Sequence, residues 1–277
     1  IKKMFIDPSQ PNTPFAAQDM ESGKALVFPP SHAKAGQPLF SRKFIPARLT
    51  DNPYLMSSGE YEAMLLSLPE VERRRLLDGD WDVAEGAAFA EFNRGLHICE
   101  PFDIPRGWPR FRAADYGYSS PSCVLWAAVD YDGNIWVYRE LYTSRLTADT
   151  LADAIFEAEA KDPSIFSAVL DKSCWNRIAG APSVAQTMIQ RGLRWLPSNS
   201  DRISGKLEVH KRLQVNEETG EPKLKIFESC HNLIRTLPSI PLSRTNSEDV
   251  DTKAEDHAYD ALRYLCMFQQ INTTNFS

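Results

Sequence analysis

The chain has 277 residues, 43% of them hydrophobic and 25% charged, so it is long enough to bury one large core or two modest ones. No apolar run approaches the roughly 20 residues that span a bilayer, which argues against a membrane protein. The five scattered cysteines form no CxxC pair, which argues against a disulfide framework and a structural zinc site. The net charge of −6 counts mildly against a protein that holds nucleic acid unaided.

The first region of the chain predicts little regular structure. Residues 1 to about 60 are rich in Pro, Ser and Asn, which is typical of irregular segments. A helix is predicted from about Gly59 to Leu77, because apolar residues recur there at helical spacing and Pro69 suits a restarted first turn. The chain begins with Ile1 rather than Met, so we expect it to be a fragment of a longer protein.

The second region reads as an α/β domain in which strands and helices alternate. A mixed central sheet flanked by helices is predicted, in the order found in ribonuclease H-like domains. The predicted elements in chain order are strands Phe111–Asp115, Ser122–Asp130 and Ile135–Tyr142, a helix from Thr147 to about Ala160, strand Ile165–Asp171, helix Pro182–Gln190, strand Leu193–Leu196, helix Ser204–Leu213, a hairpin that pairs Arg212–Val215 with Lys223–Phe227, and helices from about Cys230 to Leu237 and from about Glu255 to Gln269.

Aspartates stand at the ends of two of these strands. Asp115 closes Phe111–Asp115, and Asp171 closes the apolar run Ile165–Asp171. Carboxylates gathered from separate elements are the oxygen ligands that hard divalent cations prefer. Two such ions stabilise both the attacking and the leaving oxygen of a phosphodiester that is being cut. The pattern therefore predicts a metal-dependent nuclease.

The start of the last predicted helix carries a third group of candidate ligands. Asp256 and Asp260 are four residues apart, so they share a helix face. Asp256 equally suits a first helical turn, where the helix dipole favours a carboxylate. Asp260 lies beside apolar residues, where an unpaired carboxylate is costly, so it needs a cation or a partner such as Arg263. His257 is a further candidate, as a ligand or a proton carrier.

Basic residues in two places are candidates for contacts with phosphates. Arg202, Lys206, Lys211 and Arg212 form a local basic stretch, and Lys172 directly follows Asp171. Contacts of this kind position DNA by its backbone without reading its sequence. Solvated charges on helix and loop surfaces are the alternative explanation for the stretch.

Five segments carry a resemblance to a known family. They are Phe44–Leu55, which contains Asp51-Asn52-Pro53, then Leu76–Trp81, Asp115–Gly117, the strand that ends at Asp171, and Asp256–Tyr264. In these segments and their spacing, from about residue 40 onward, the chain resembles the C-terminal part of the large terminase subunit of tailed bacteriophages. A departure is also visible, because Ser22-Gly23-Lys24-Ala25 lacks the hydroxyl and the upstream glycine of a phosphate-binding loop.

The resemblance implies a ribonuclease H-like nuclease domain over residues 96–277, preceded over residues 1–95 by the end of an ATPase motor domain and a linker. It implies a two-metal-ion endonuclease that uses Mg²⁺ or Mn²⁺ to cut concatemeric double-stranded DNA during genome packaging. Asp115 and Asp171 would be metal ligands, with the third from Asp256 or Asp260. The ATPase domain itself would lie outside this chain, so no ATPase site is expected in it. A portal protein and a small terminase subunit would be partners, in the cytoplasm of the infected bacterium.

Two other interpretations compete with this one. A transposase or junction resolvase of the same fold would use similar carboxylates on defined DNA structures, whereas the predicted hairpin at 212–227 and the motor-like N-terminal segment favour a terminase. A non-catalytic docking module would carry the acidic residues merely as surface charge. Such a module would keep its function when Asp115 and Asp171 are replaced together.

Overall fold

A computed structural model describes residues 15–16, 25–39, 41–42, 54, 60–66, 76, 86–162, 165–177, 180–243, 246 and 248–273. The chain divides into two compact units, Ile1–Glu85 and Gly86–Ser277. In the first unit, strands β1 (Phe15–Ala16) and β2 (Ser41–Arg42) pair antiparallel, and helix α1 spans Glu60–Leu66. Most of the helix predicted from Gly59 to Leu77 beyond α1 lies outside the described residues, as do most of the segments at 44–55 and 76–81.

The second unit is built on a seven-stranded mixed sheet with the order β3-β9-β6-β5-β4-β7-β8. β4, β5 and β6 form an antiparallel meander, and the outer strands join it in parallel. The strands are β3 (Ile98–Cys99), β4 (Arg110–Asp115), β5 (Ser122–Val129), β6 (Ile135–Thr143), β7 (Ser167–Leu170), β8 (Leu196–Pro197) and β9 (Leu224–Phe227). The predicted α/β class with a mixed central sheet is confirmed.

Helices cover both faces of this sheet. They are α2 (Arg94–His97), α3 (Ala148–Glu159), α4 (Val184–Gln190), α5 (Arg202–Leu213), α6 (His231–Thr236) and α7 (His257–Thr273), with a 3₁₀ turn at Lys172–Trp175.

Residues of β4 alternate between the two helical layers, as a strand requires. Phe111 contacts Phe268 of α7 with ring centroids 6.1 Å apart, whereas Arg112 on the opposite face binds Glu159 of α3. Every residue of β4 and β5 is buried, and β5 accordingly reads as a nearly continuous apolar run, whereas β4 buries Arg110 and Arg112 among its apolar residues. Contacts with both helical layers thus fix the position of β4 in the sheet.

The hairpin predicted at 212–227 is wrong. Arg212 and Leu213 complete α5, and β9 pairs in parallel with β3 and β6 instead of turning back on the preceding segment. Between the two predicted arms, the pairing is limited to an isolated antiparallel bridge of Val215 with Pro222. The apolar residues of β9 are buried beside β6, so sheet burial overrides the local turn signal. Helix α2 and strand β3 lie in a segment that the sequence had indicated only as a connection.

No helix within the described ranges combines the length and the apolar character needed to cross a membrane.

Candidate active site

Asp115 and Asp171 end neighbouring parallel strands. β4 pairs with β7 in the register Ala114 to Leu170, so the two aspartates follow paired residues at the same edge of the sheet. The backbone N–H of Asp171 donates to the carbonyl of Ala114 at 3.0 Å. Parallel pairing in the sheet interior therefore brings together two carboxylates that are 56 residues apart in the chain (171 − 115).

The two carboxylates have different surroundings. Asp115 is only 8% exposed, and Nδ1 of His257 lies 2.9 Å from its Oδ2. Asp171 is half-buried and caps the 3₁₀ turn that follows, accepting hydrogen bonds from the Ser173 backbone N–H at 3.1 Å and hydroxyl at 2.6 Å. Capping orients Asp171 toward its own turn, whereas Asp115 is held by a residue from α7.

The start of α7 supplies the third element. Asp256 precedes the helix, and Asp260 lies one turn inside it; both are buried at 8% exposure. The backbone N–H of Asp260 donates to the carbonyl of Asp256 at 2.7 Å. Ala258 and Ala261 are fully buried, since α7 packs against β4 and β5 through small side chains. This close packing brings His257 within hydrogen-bonding distance of Asp115.

The carboxylates perturb one another. Burial raises the pKa of Asp115, and the negative charges of Asp260 and Asp171 raise it further, against the lowering effect of His257. Burial and, to a smaller extent, the negative charge of Asp260 raise the pKa of Asp256 to about 6. The hydrogen bond to Asp115 raises the pKa of His257. Negative charge is therefore concentrated where β4, β7 and α7 meet.

The carboxylates of Asp115, Asp171, Asp256 and Asp260 form an acidic cluster, and two arginines enter it. Arg263, 2% exposed, reaches Oδ1 of Asp260 with both Nε and an Nη at 3.0 Å. Arg202 donates from Nε to Asp249 at 2.9 Å, and its Nη atoms lie 3.4 Å from Asp260 and 3.8 Å from Asp256. The carboxylate of Asp260 is consequently paired with two guanidinium groups.

The donor chemistry of the cluster fits a hard divalent cation, because it offers carboxylate oxygens from three separate elements. Within the described ranges, however, no three His, Cys, Asp or Glu side chains are positioned to hold a metal ion. The carboxylates are gathered at one edge of the sheet without forming a finished coordination cage.

Solved structures share this arrangement of strands and helices. The large terminase of a thermophilic bacteriophage matches with a TM-score of 0.54 and 20% identity, over 79% of this chain and 54% of that protein. The P22 large terminase nuclease domain matches with a TM-score of 0.55 and 19% identity, over 68% of this chain and 94% of that domain. The fold is that of a large terminase nuclease domain. The chain spans only about half the length of the thermophilic phage protein. No protein-family model matches the chain, and no curated protein sequence does.

In this terminase nuclease fold, the predicted DNA-contacting residues are distributed unevenly. Lys172 is exposed beside Asp171, and Lys211 is exposed on α5, where its ammonium group lies 3.6 Å from Glu208. Lys206 is buried at 8% exposure. Arg212 donates to Glu208 at 3.3 Å and to the Gly133 carbonyl at 3.0 Å. Arg202 belongs to the acidic cluster, so the five side chains do not form one continuous surface.

Three hydrogen bonds to Glu255, which hold the segment that leads into α7, were not predicted from the sequence. Glu255 accepts hydrogen bonds from both terminal nitrogens of Arg235 at 2.8 and 2.6 Å and from the Tyr142 hydroxyl at 2.8 Å. These bonds tie the residue before Asp256 to β6 and α6. No local pattern signals this contact, because its three members are far apart in the sequence.

Proposed function

We propose that this chain is the nuclease part of a large terminase subunit and cuts double-stranded DNA with the help of divalent cations. The observation that supports this most strongly is the side-by-side placement of Asp115 and Asp171 at the edge where α7 adds further acid groups. In such sites, divalent cations activate water and stabilise the leaving oxygen. Mg²⁺ or Mn²⁺, as a pair of ions, is the cofactor that this donor set fits.

The third ligand in this proposal is Asp260 rather than Asp256. The charge of Asp260 raises the pKa of Asp115, and the charge of Asp115 raises the pKa of Asp256, so both candidates lie near the first carboxylate and the choice rests on how Asp260 is held. Arg263 binds Oδ1 of Asp260, which fixes the carboxylate while Oδ2 faces only the longer contact from Arg202 at 3.4 Å. A second carboxylate oxygen that is held in place by its neighbour is a suitable metal ligand.

Other residues of the site have supporting roles in the proposal. His257 holds Asp115 through Nδ1 and fixes the orientation of that carboxylate. Lys172, exposed beside Asp171, contacts a backbone phosphate of the DNA, and Lys211 is the other exposed member of the predicted set. Contacts of this type do not read sequence, so the choice of cutting site rests with partner proteins.

The wider setting follows from the same proposal. Residues 1–95 are the end of the ATPase motor domain and its linker. A portal protein and a small terminase subunit are the packaging partners, and the protein works in the cytoplasm of the infected bacterium on concatemeric DNA.

The deciding experiment is cleavage of supercoiled plasmid with Mn²⁺, Mg²⁺ or EDTA. We expect cutting in Mn²⁺ or Mg²⁺ that EDTA stops and that Asp115→Asn, Asp171→Asn and Asp260→Asn each abolish. Asp132→Asn is the matched control, because Asp132 is an exposed turn residue outside the cluster. Calorimetric titration with Mn²⁺ gives a readout that is independent of cutting, and the three site variants should lose binding.

Four results would count against the proposal. Metal-independent cutting, or cutting that survives in all three variants, would assign the activity to something other than these carboxylates. A folded wild type that neither binds Mn²⁺ nor cuts plasmid would favour the docking module instead. Cutting confined to branched DNA would favour a resolvase of the same fold.

A further inference from the structure

A cleft of about 910 Å³ lies at the end of β4 that is remote from the acidic cluster. Arg110, the first residue of β4, lines this cleft, whereas Asp115 is the last residue of the strand. At about 3.3 Å per residue, the two residues are about 17 Å apart along the strand. Their side chains also project from opposite faces of the sheet, because five positions separate them. The cleft and the carboxylates are therefore separate places on the molecule.

The cleft is positively charged in an acidic protein. Four basic side chains line it, Arg106, Arg110, Arg139 and Lys161, against two acidic ones, Asp103 and Asp162. The excess of two positive charges (4 − 2) contrasts with a net charge of −6 for the whole chain. Local charge of the opposite sign attracts an anionic partner and guides its approach.

The floor of the cleft already binds one carboxylate, that of Asp162. Arg139 holds Asp162 with two hydrogen bonds of 2.7 and 3.0 Å, and the Tyr138 hydroxyl donates to the same carboxylate at 3.3 Å. Arg110 is only 8% exposed, and its Nε has no hydrogen-bond partner in the part of the chain that the structure describes. This Nε is enclosed by protein atoms, and the other nitrogens of Arg110 contact Asp162 at 3.5 Å and the Ile104 carbonyl at 3.0 Å, so Arg110 contributes its charge to the cleft rather than an open donor.

Two further cations stand at the rim. Arg106 and Lys161 are exposed, and neither forms an ion pair with any residue within the described ranges. Their charges are therefore available to the carboxylates of an incoming chain.

The wall of the cleft is aromatic and rigid. Phe102 is 40% exposed, yet its ring is fixed by Trp108, Trp136 and Phe227, with centroid distances of 6.2, 5.2 and 4.9 Å. An exposed ring that is already held in one orientation loses little conformational entropy on binding. Aromatic and arginine side chains side by side are also the composition of binding hot spots at protein interfaces.

We propose that this cleft is a docking site for an acidic peptide segment of another protein, in which carboxylates flank an apolar side chain. The apolar side chain packs on Phe102, and the carboxylates bind the exposed cations Arg106 and Lys161. A DNA duplex is a poorer fit, because its charged phosphates gain no packing energy from the aromatic wall. This site goes beyond the nuclease activity and leaves the acidic cluster free to act at the same time.

Fluorescence anisotropy with a short labelled peptide tests the proposal. The probe alternates glutamate and aspartate with leucine and phenylalanine, and a matched peptide carries glutamine and asparagine instead. We expect the acidic peptide to bind and the amide peptide to bind at least about tenfold more weakly. The double variant Arg106→Glu with Lys161→Glu should lose at least about tenfold in affinity for the acidic peptide. Phe102→Ala should weaken binding as well, with an unchanged salt dependence.

A control variant separates local from overall charge. Lys223→Glu with Lys253→Glu makes the same change in net charge at two exposed lysines that do not line the cleft. Equal loss in both double variants, or equal binding of the acidic and amide peptides, would overturn the proposal. Labelled duplex DNA that binds in place of the peptide and is released by the cleft variant would also overturn it. Metal-dependent cutting should be unchanged in the cleft variants.

Discussion

Arg263 of α7 crosses directly over Gly205 of α5. A Cβ atom on Gly205 would lie 2.6 Å from Cγ and 2.7 Å from Cδ of Arg263, closer than side-chain carbons can approach. The missing side chain lets the arginine stem pass between the helices, and its guanidinium then reaches Asp260. The glycine on one helix therefore determines how a carboxylate on another is held.

Gly205→Ala should destabilise the protein by about 1–3 kcal/mol, because the clash is with the middle of a buried side chain that has no room to move. An alanine usually stabilises a helix relative to glycine, so the expected sign is the reverse of the helix-propensity effect. Denaturant unfolding measures the change. Gly95→Ala in α2 is the control, since an added Cβ there meets only the Asn93 side chain, at 3.3 Å. Equal stability of the two variants would contradict the packing argument.

Glu159 is the sole carboxylate seen bound to the buried Arg112 within the described ranges. It accepts from Arg112 at 2.5 Å and from Nε1 of Trp126 at 2.6 Å. Glu159→Ala should cost about 3–5 kcal/mol, because it leaves a guanidinium that is 3% exposed without its counter-charge. Asp153→Ala, which breaks the exposed ion pair with Arg191, should change stability little. Thermal unfolding of both variants checks the contrast, and a mild effect of Glu159→Ala would refute it.

Local sequence patterns were sufficient for the elements that build the site. The apolar run before Asp171 and the strand-like segment before Asp115 identify strands, and strands that end at one edge bring their last residues together. The helical spacing after Asp256 identifies α7 with nearly the right start. These features depend on short stretches of chain, so a single sequence reveals them.

Pairings between distant segments could not be predicted in this way. A turn does form at Asn216, whose carbonyl accepts from the Gly220 N–H at 2.8 Å, yet the strand after it pairs with residues 98–99 and 135–137. Likewise, nothing near Arg202 in the sequence indicates that its partners are Asp249 and Asp260. Turn chemistry is local, whereas strand partners and ion pairs depend on the finished fold.

Arg263→Lys should separate the positioning of Asp260 from its charge. Lysine keeps the positive charge but loses the planar group that contacts Oδ1 with two nitrogens. We expect Mn²⁺ affinity and plasmid cutting to fall by about 10–100-fold, as for other residues that orient a ligand. Calorimetric titration and cleavage assays measure the two effects, with unfolding curves as a check on the fold. Unaltered Mn²⁺ binding in a folded variant would show that Arg263 serves the packing of α5 and α7 alone.

Asp256→Asn should stabilise the metal-free protein in a manner that depends on pH. The folded protein raises the pKa of Asp256 to about 6, above the value of about 3.9 expected when unfolded. The folded state therefore binds the proton more tightly, and the stability contributed by this group is full below about pH 3.9 and is lost as the pH rises through about 6. Asparagine does not ionise and avoids that loss.

The melting temperature in EDTA should consequently rise more on Asp256→Asn at about pH 8 than at about pH 5. Asp132→Asn, at an exposed turn, should show no such pH dependence. An equal rise in melting temperature at both pH values would mean that burial and the charge of Asp260 do not raise the pKa of Asp256. Repeating the pair of measurements with Mn²⁺ adds a test of the site, because a bound cation stabilises the ionised carboxylate and should shrink the gain at the higher pH.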